Sequence, residues 1–221
     1  MQPLEDPRRD RPPSCSADDW KKLAIDADKF DSILAAFPDR FSIHFESGYP
    51  RSPKNSTIPA EMRAHYLAEI QRHRQALLGA KQVLIIGRSS PDGDPTKNYE
   101  LALKRLDIVT GLLREAMSEP GKVAALDAAP LRAWSLSGES PLTPARFRSH
   151  YSKAPIAWNP ASDDKLRRLA SDVEPRSADD WKWLYGAINR VVLVIPIPCD
   201  GSEWSPEALA SFQGDPLPEG R

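Results

Sequence analysis

This 221-residue sequence lacks an excess of either positive or negative charge. The 30 basic side chains stand against 31 acidic ones, so the net charge is −1, and nucleic acid is not favoured as a partner. Catalytic motifs are absent too: the sequence has no Gly-x-Ser-x-Gly elbow, no His-Glu-x-x-His pair, no phosphate-binding glycine loop and no cysteine pair at metal-ligand spacing. We therefore expect a protein that is not an enzyme and that uses no cofactor and no metal.

Apolar runs and cysteines are scarce as well. Residues 1–16 carry charge and proline instead of an apolar stretch, which predicts neither a signal peptide nor a membrane anchor there. Cys15 lacks the small and apolar residues that precede a lipidated cysteine. It pairs with Cys199 in an oxidising compartment, or both remain thiols; the sequence leaves these alternatives open. We expect no transmembrane segment in this chain, and a cytoplasmic location stays open beside an exported one.

The sequence does contain enough apolar residues, 40%, for a real core. Its 22 prolines cluster in segments that we interpret as loops and tails. We expect a flexible tail over residues 1–15, a single domain over 16–199 and a second flexible tail over 200–221. An insertion at about 120–176 lengthens the domain before its last strand.

A short motif occurs twice and marks two helix starts. The sequence SADDWKKL begins at Ser16, and SADDWKWL begins at Ser177. In each copy a serine precedes an acidic residue by three positions, which is the pattern of a capped helix N-terminus. The first copy predicts an added helix at the N-terminus of the domain, and the second predicts a helix over 177–188.

The strongest local signal is a strand followed by a polar loop. Residues 83–86, Val-Leu-Ile-Ile, form a β-branched apolar run without polar residues, which is typical of a central strand. We expect the strand to end at Gly87. The loop over 88–95 holds two prolines, a glycine and two aspartates, a composition that favours an ordered turn.

A helix is predicted directly after this loop. Thr96 is the expected N-cap, and apolar residues recur at three- and four-residue spacing as far as Leu113. Asn98 and Arg105 lie about two turns apart on this helix. We therefore expect both side chains to face the loop.

Weaker patterns flank this segment. Residues 40–48 alternate apolar and polar side chains, as in a half-buried strand whose His44 points outward. His65 and His73, with Glu61 and Glu69, have helical spacing, but we expect this polar face to be exposed to solvent and not to bind a metal. The remaining predicted elements are a helix over 61–78, a strand over 133–137, a helix over 163–170 and a closing strand within 188–197.

The loop and the helix resemble the OmpA-like (peptidoglycan-associated) C-terminal domain of bacterial envelope proteins. In that family a strand is followed by Gly-x-Thr-Asp-x-x-Gly or Gly-x-Ala-Ser-Pro-Glu-Gly, and then by Asn-x-x-Leu-Ser-x-x-Arg-Ala-x-x-Val. The matching loop residues are Gly87, Ser89, Ser90, Pro91, Asp92 and Gly93, and the matching helix residues are Asn98, Leu101, Ala102, Arg105 and Val109. Arg190 resembles the first arginine of the motif with which the family's closing strand begins.

The resemblance implies an α+β fold. Its core is an OmpA-like βαβαβ-type arrangement in which helices cover a mixed sheet. This chain adds an N-terminal helix to that core and a long insertion before the last strand.

The resemblance also implies a ligand, the diaminopimelate of the peptidoglycan stem peptide. In the family, the loop aspartate binds its ammonium group, and the helix arginine binds its carboxylate in a two-pronged contact. Arg105 stands at the arginine position, whereas Ser90, which carries no charge, stands at the aspartate position. Asp92, two residues further on, is a candidate substitute. The candidate peptidoglycan-binding residues are Ser89, Ser90, Asp92, Asn98, Arg105 and Arg190.

Two functions are therefore compatible with the sequence. The first is a non-catalytic protein of the cell envelope, in the periplasm or at the outer membrane, that binds or anchors to peptidoglycan with weakened affinity. The second is an interaction or assembly subunit of an envelope complex that kept the OmpA-like scaffold and lost peptidoglycan binding. Arg105 favours the first function and Ser90 favours the second.

Overall fold

The computed structural model describes residues 39–50, 57–90, 93–118, 131–137, 159–170 and 177–198. The two predicted tails, the added N-terminal helix and most of the insertion lie outside these residues. Cys15, Cys199 and Asp92 lie outside them as well.

Four strands and five helices follow one another within the described residues. In chain order they are β1 (Phe41–His44), α1 (Ala60–Arg72), α2 (Arg74–Gly79), β2 (Gln82–Arg88), α3 (Pro95–Met117), β3 (Leu131–Ser137), α4 (Pro160–Ala170), α5 (Ala178–Asn189) and β4 (Val191–Ile197). Strand and helix therefore occur where the sequence patterns predict them. The helix expected over 61–78 is divided at His73 into α1 and α2.

The four strands form one sheet in the order β1-β4-β2-β3. β4 lies antiparallel to both of its neighbours, β1 and β2, whereas β3 runs parallel to β2. A parallel pair needs a crossover connection, and the chain between β2 and β3 contains the long helix α3. The α+β class and the mixed sheet expected from the sequence are confirmed.

The central strands β2 and β4 are buried along their whole length. This burial confirms the prediction from the apolar run at 83–86. The expected end of the strand at Gly87 is wrong, because β2 continues through Arg88 with a register shift between the two residues. A Cβ atom at Gly87 would lie 2.7 Å from Cγ of Leu106, so the glycine lets α3 approach the sheet closely.

One face of the sheet packs against α1 and α3. Its core joins apolar side chains of β1, β2 and β4 to those of the two helices. Phe41, Ile43 and Phe45 all belong to this core, which confirms the predicted alternation in the first strand. Tyr66 of α1 also lies there, and its hydroxyl donates a hydrogen bond of 2.6 Å to the backbone carbonyl of His44.

The opposite face is buried too, which contradicts the expectation that His44 points outward. His44 is only 4% exposed and lies close to Ala187 of α5 and Asp163 of α4. Burial lowers the pKa of its imidazole from 6.5 to about 3, so the ring is neutral near pH 7. The buried apolar residues of α4 and α5 are Leu166, Leu169, Leu184, Ala187 and Ile188.

The N-termini of α3 and α5 carry side-chain caps. Oγ of Ser177 accepts a hydrogen bond of 3.1 Å from the backbone N–H of Asp180, as the repeated motif predicts. For α3, the expected cap Thr96 is wrong. Asp94 is the N-cap, its Oδ1 accepting from the N–H of Lys97 at 3.0 Å, because Pro95 takes the first helical position, where its missing N–H costs nothing.

Candidate functional site

The candidate site lies at one end of the sheet. β1 and β2 both run antiparallel to β4, so their C-terminal ends meet the N-terminal end of β4. Phe45 and Ser89 therefore follow the ends of the two strands that flank β4, and the N–H of Phe45 donates a hydrogen bond of 2.7 Å to the carbonyl of Arg190. The same end of the sheet receives the side chain of Arg105 from α3.

Arg105 is 2% exposed, and backbone carbonyls hold its guanidinium. Nε and Nη2 both donate to the carbonyl of Tyr49, at 3.2 and 3.1 Å, and Nη1 donates to the carbonyl of Arg88 at 3.2 Å. Its Cζ lies 5.5 Å from the centre of the Phe45 ring, within the range of a cation–π contact. One N–H on each of Nη1 and Nη2 remains without an acceptor among the described residues.

The guanidinium of Arg105 also lacks a carboxylate partner in the described part of the chain. Burial, and then the neighbouring charge of Arg190, lower its pKa from 12.5 to about 9, while Tyr66 acts in the opposite direction. The group therefore stays protonated at neutral pH. A buried cation without a counter-ion is costly, so this part of the protein attracts an anionic group.

The loop that begins with Ser89 adds hydroxyl groups to the site. Ser89 is 1% exposed, and its Oγ has no hydrogen-bond partner in the ranges that the structure describes. Ser90 is half-buried. Asn98 is 8% exposed and lies on the buried face of α3 together with Arg105.

Arg190 approaches the same place from the end of α5. It is the C-cap residue of that helix, and its Nε donates a hydrogen bond of 3.3 Å to the carbonyl of Phe45. A Cβ atom on Gly186 would lie 2.6 Å from Nη1 of Arg190 and 3.6 Å from Oγ of Ser90. Gly186 thus leaves room for the guanidinium beside the serine hydroxyl.

The structure brings together most of the residues proposed from the sequence. Ser89, Ser90, Arg105 and Arg190 surround the end of the sheet, Asn98 lies at the start of the adjoining helix, and Asp92 is outside the described residues. Sequence reasoning missed Tyr49, whose backbone carbonyl accepts from Arg105, because a backbone acceptor leaves no signal in residue type. It also missed Gly186, for which a glycine inside a helical pattern is the available signal.

Of the two histidines in the predicted polar face, His65 lies on α1 and His73 is the C-cap residue of that helix. His73 stacks on Phe41 with ring centres 4.3 Å apart, and its Nε2 lies 3.4 Å from Oε1 of Glu69. Within the described ranges no group of three or more metal-ligating side chains is present. The expectation that this face is exposed to solvent is correct for Glu61 and wrong for His73, because the histidine ring covers the edge of the core.

The geometry suits the binding of an anionic group. Arg105, Arg190, Ser89 and Ser90 lie at one end of the sheet, and their N–H and O–H groups can donate hydrogen bonds to anionic oxygens. No protein-family model matches the chain, and no curated protein matches it significantly. None of the helices in the described ranges combines the length and the apolar character needed to cross a membrane.

Proposed function

We propose that this protein is a divergent OmpA-like protein of the bacterial cell envelope that binds or anchors to peptidoglycan without catalysing a reaction. The observation that carries the proposal is the buried guanidinium of Arg105, which has no carboxylate partner among the described residues. A carboxylate of the stem peptide would supply that partner, with the two N–H groups that have no described acceptor as donors.

The order of the elements supports the same proposal. A first strand, a helix, a central strand, the long helix α3, a third strand, further helices and a closing strand follow one another as the resemblance implies. The central strand leads into the loop with Ser89 and Ser90, and α3 carries Arg105. The candidate ligand residues thus belong to the part of the chain on which the resemblance rests.

The second function, an assembly subunit without peptidoglycan affinity, is also favoured by a specific observation. The carbonyls of Tyr49 and Arg88 already occupy three N–H groups of Arg105. An arginine held in this way stabilises the connection of β1 and β2 to α3 without any ligand. Ser90 adds to this argument, because a hydroxyl binds an ammonium group more weakly than a carboxylate does.

Co-sedimentation with purified peptidoglycan tests the proposal. We expect the wild-type protein to be retained by diaminopimelate-type peptidoglycan and to be retained less by lysine-type peptidoglycan, because lysine lacks the extra carboxylate. Arg105→Met should abolish retention. Arg114→Met is the matched control, since Arg114 lies exposed on the same helix and should not affect retention. Failure of the wild-type protein to sediment with diaminopimelate-type material would refute the proposal in favour of the assembly subunit.

The substitution Ser90→Asp tests the missing half of the site. A carboxylate at this position should strengthen binding of the diaminopimelate ammonium group by about tenfold, the equivalent of roughly 1.4 kcal/mol. Ser118→Asp adds the same charge at an exposed position and should leave retention unchanged. Equal effects of the two substitutions would show that net charge, and not the site, determines retention.

A further inference from the structure

The charges around Arg105 include a second cation. Here a second guanidinium, that of Arg190, lies near the first: Arg190 donates to the carbonyl of Phe45, and Arg105 lies over the ring of the same residue. Two neighbouring guanidinium groups favour a ligand, or a part of a ligand, that carries more than one negative charge.

Ser89 adds a buried donor without a described partner. Its Oγ is shielded from solvent and has no acceptor or donor in the described ranges, although a buried hydroxyl is normally hydrogen-bonded. Ser89 directly follows Arg88, whose carbonyl accepts from Nη1 of Arg105. A ligand with several anionic oxygens would accept from this hydroxyl and from the guanidinium at once.

The site has a polar approach from solvent. Ser90 and Arg190 are half-buried, so each keeps part of its surface in contact with water, whereas Ser89 and Arg105 lie deeper. The absence of a side chain at Gly186 makes room for the guanidinium of Arg190, whose Nη1 would lie 2.6 Å from a Cβ atom there. A tetrahedral group presents oxygens in more than one plane, so it can accept from donors that approach from different directions.

We propose that Arg105, Arg190 and Ser89 form a binding site for a dianionic phosphoryl group. Paired guanidinium groups are the usual protein partners of phosphate, since they donate two parallel hydrogen bonds and remain charged. This inference rests on the proposed function for the location of the site. It does not require peptidoglycan as the ligand.

Isothermal titration calorimetry of the full chain tests the inference with inorganic phosphate and phenyl phosphate as probes. Sodium acetate at equal ionic strength is the reference for a single negative charge. We expect phosphate to bind about tenfold or more tightly than acetate, because the second charge engages the second guanidinium. Binding of both phosphate probes indicates an ester ligand, and binding of inorganic phosphate alone indicates free phosphate; either result supports a phosphoryl site. Equal affinity for acetate and phosphate would overturn it.

Variants separate the site from general charge effects. Arg105→Met should abolish phosphate binding, and Arg190→Gln should weaken it by about tenfold or more. Gly186→Ala keeps both charges but places a methyl group 2.6 Å from Nη1 of Arg190, so it should weaken binding by displacing that guanidinium. Gly111→Ala is the matched control, because nothing lies within 4 Å of the added methyl group. Undiminished phosphate binding in both Arg190→Gln and Gly186→Ala would refute the two-arginine site.

The outcomes for phosphate and for peptidoglycan are independent. Phosphate binding that depends on Arg105, without retention on peptidoglycan, supports this inference and contradicts the proposed function. Retention on diaminopimelate-type peptidoglycan without phosphate binding supports the proposed function and contradicts this inference. If both are observed, competition by phosphate in the sedimentation assay shows that the two ligands share the site.

Discussion

The two faces of the sheet each bury a basic side chain, and only one of the two side chains stays protonated near pH 7. Arg105, beside the face covered by α1 and α3, keeps its proton near pH 7, because burial lowers the pKa of its guanidinium only to about 9. His44, on the face towards α4 and α5, loses its proton, because burial lowers its pKa to about 3. Burial penalises both charges, so the ordinary pKa of each side chain, 12.5 for Arg105 and 6.5 for His44, decides which one remains a cation near pH 7 and can attract an anion.

We expect the largest difference between the two faces to be a loss of stability when the pH is lowered. Because the folded-state pKa of His44 lies below its unfolded value of 6.5, its contribution to stability is fully present above pH 6.5 and is lost as the pH falls towards 3. The loss approaches about 1.4 kcal/mol per pH unit and is on the order of 5 kcal/mol over the window.

Urea unfolding at a series of pH values measures this loss. His44→Gln removes the titrating group, so the free energy of unfolding of the variant should fall less steeply between pH 6.5 and pH 3 than that of the wild type. The carboxylates of the protein titrate in both forms, so the difference between the two curves isolates His44. Parallel curves would show that the imidazole does not titrate on unfolding.

The error at His44 shows where sequence patterns stop. The alternation of residues 41–45 correctly assigned Phe41, Ile43 and Phe45 to one face. A polar residue between them predicts a solvated second face, yet α4 and α5, more than 110 residues further along the chain, cover it. The pattern of one strand contains no information about a helix that packs on it from so far away.

The site shows the same division between local and distant information. The register of Asn98 and Arg105 could be read from the helix pattern, because both residues lie on one helix. The hydrogen bonds that hold Arg105 could not be predicted from the sequence. Their acceptors are the backbone carbonyls of Tyr49 and Arg88, and every residue has a backbone carbonyl. The cap at Asp94 was missed for a local reason, the preference of proline for the first helical position.

A smaller difference in stability should distinguish substitutions of an apolar core residue on α3 from a substitution of the buried charge on the same helix. Leu113 is fully buried, and Leu113→Ala should cost about 3 kcal/mol through lost burial and a cavity. Arg105→Met should cost less, about 1 kcal/mol, because two carbonyls lose their donor while the desolvation cost of a buried charge disappears. Urea unfolding combined with phosphate titration measures both properties.

The two variants should have opposite profiles. Leu113→Ala should lower stability and keep anion affinity, whereas Arg105→Met should keep most of the stability and lose the affinity. If Arg105→Met is destabilised as strongly as Leu113→Ala, the arginine serves mainly to hold the fold together, and the assembly-subunit function gains support.

The smallest effect concerns the close approach of α3 to the sheet at the residue before Arg88. Gly87→Ala places a methyl group 2.7 Å from Cγ of Leu106 and 3.1 Å from the carbonyl oxygen of Ala102, which as backbone cannot rotate away. We expect a cost of about 1–2 kcal/mol from this overpacking. Gly111→Ala, on an exposed position of α3 with no neighbour within 4 Å, should instead raise stability by about 0.5–1 kcal/mol.

Because a shift of α3 away from β2 lengthens the hydrogen bond from Arg105 to the carbonyl of Arg88, Gly87→Ala should also weaken anion binding while Gly111→Ala leaves it unchanged. Weaker folding with unchanged binding in Gly87→Ala would mean that the anion site does not depend on the distance between the helix and the strand.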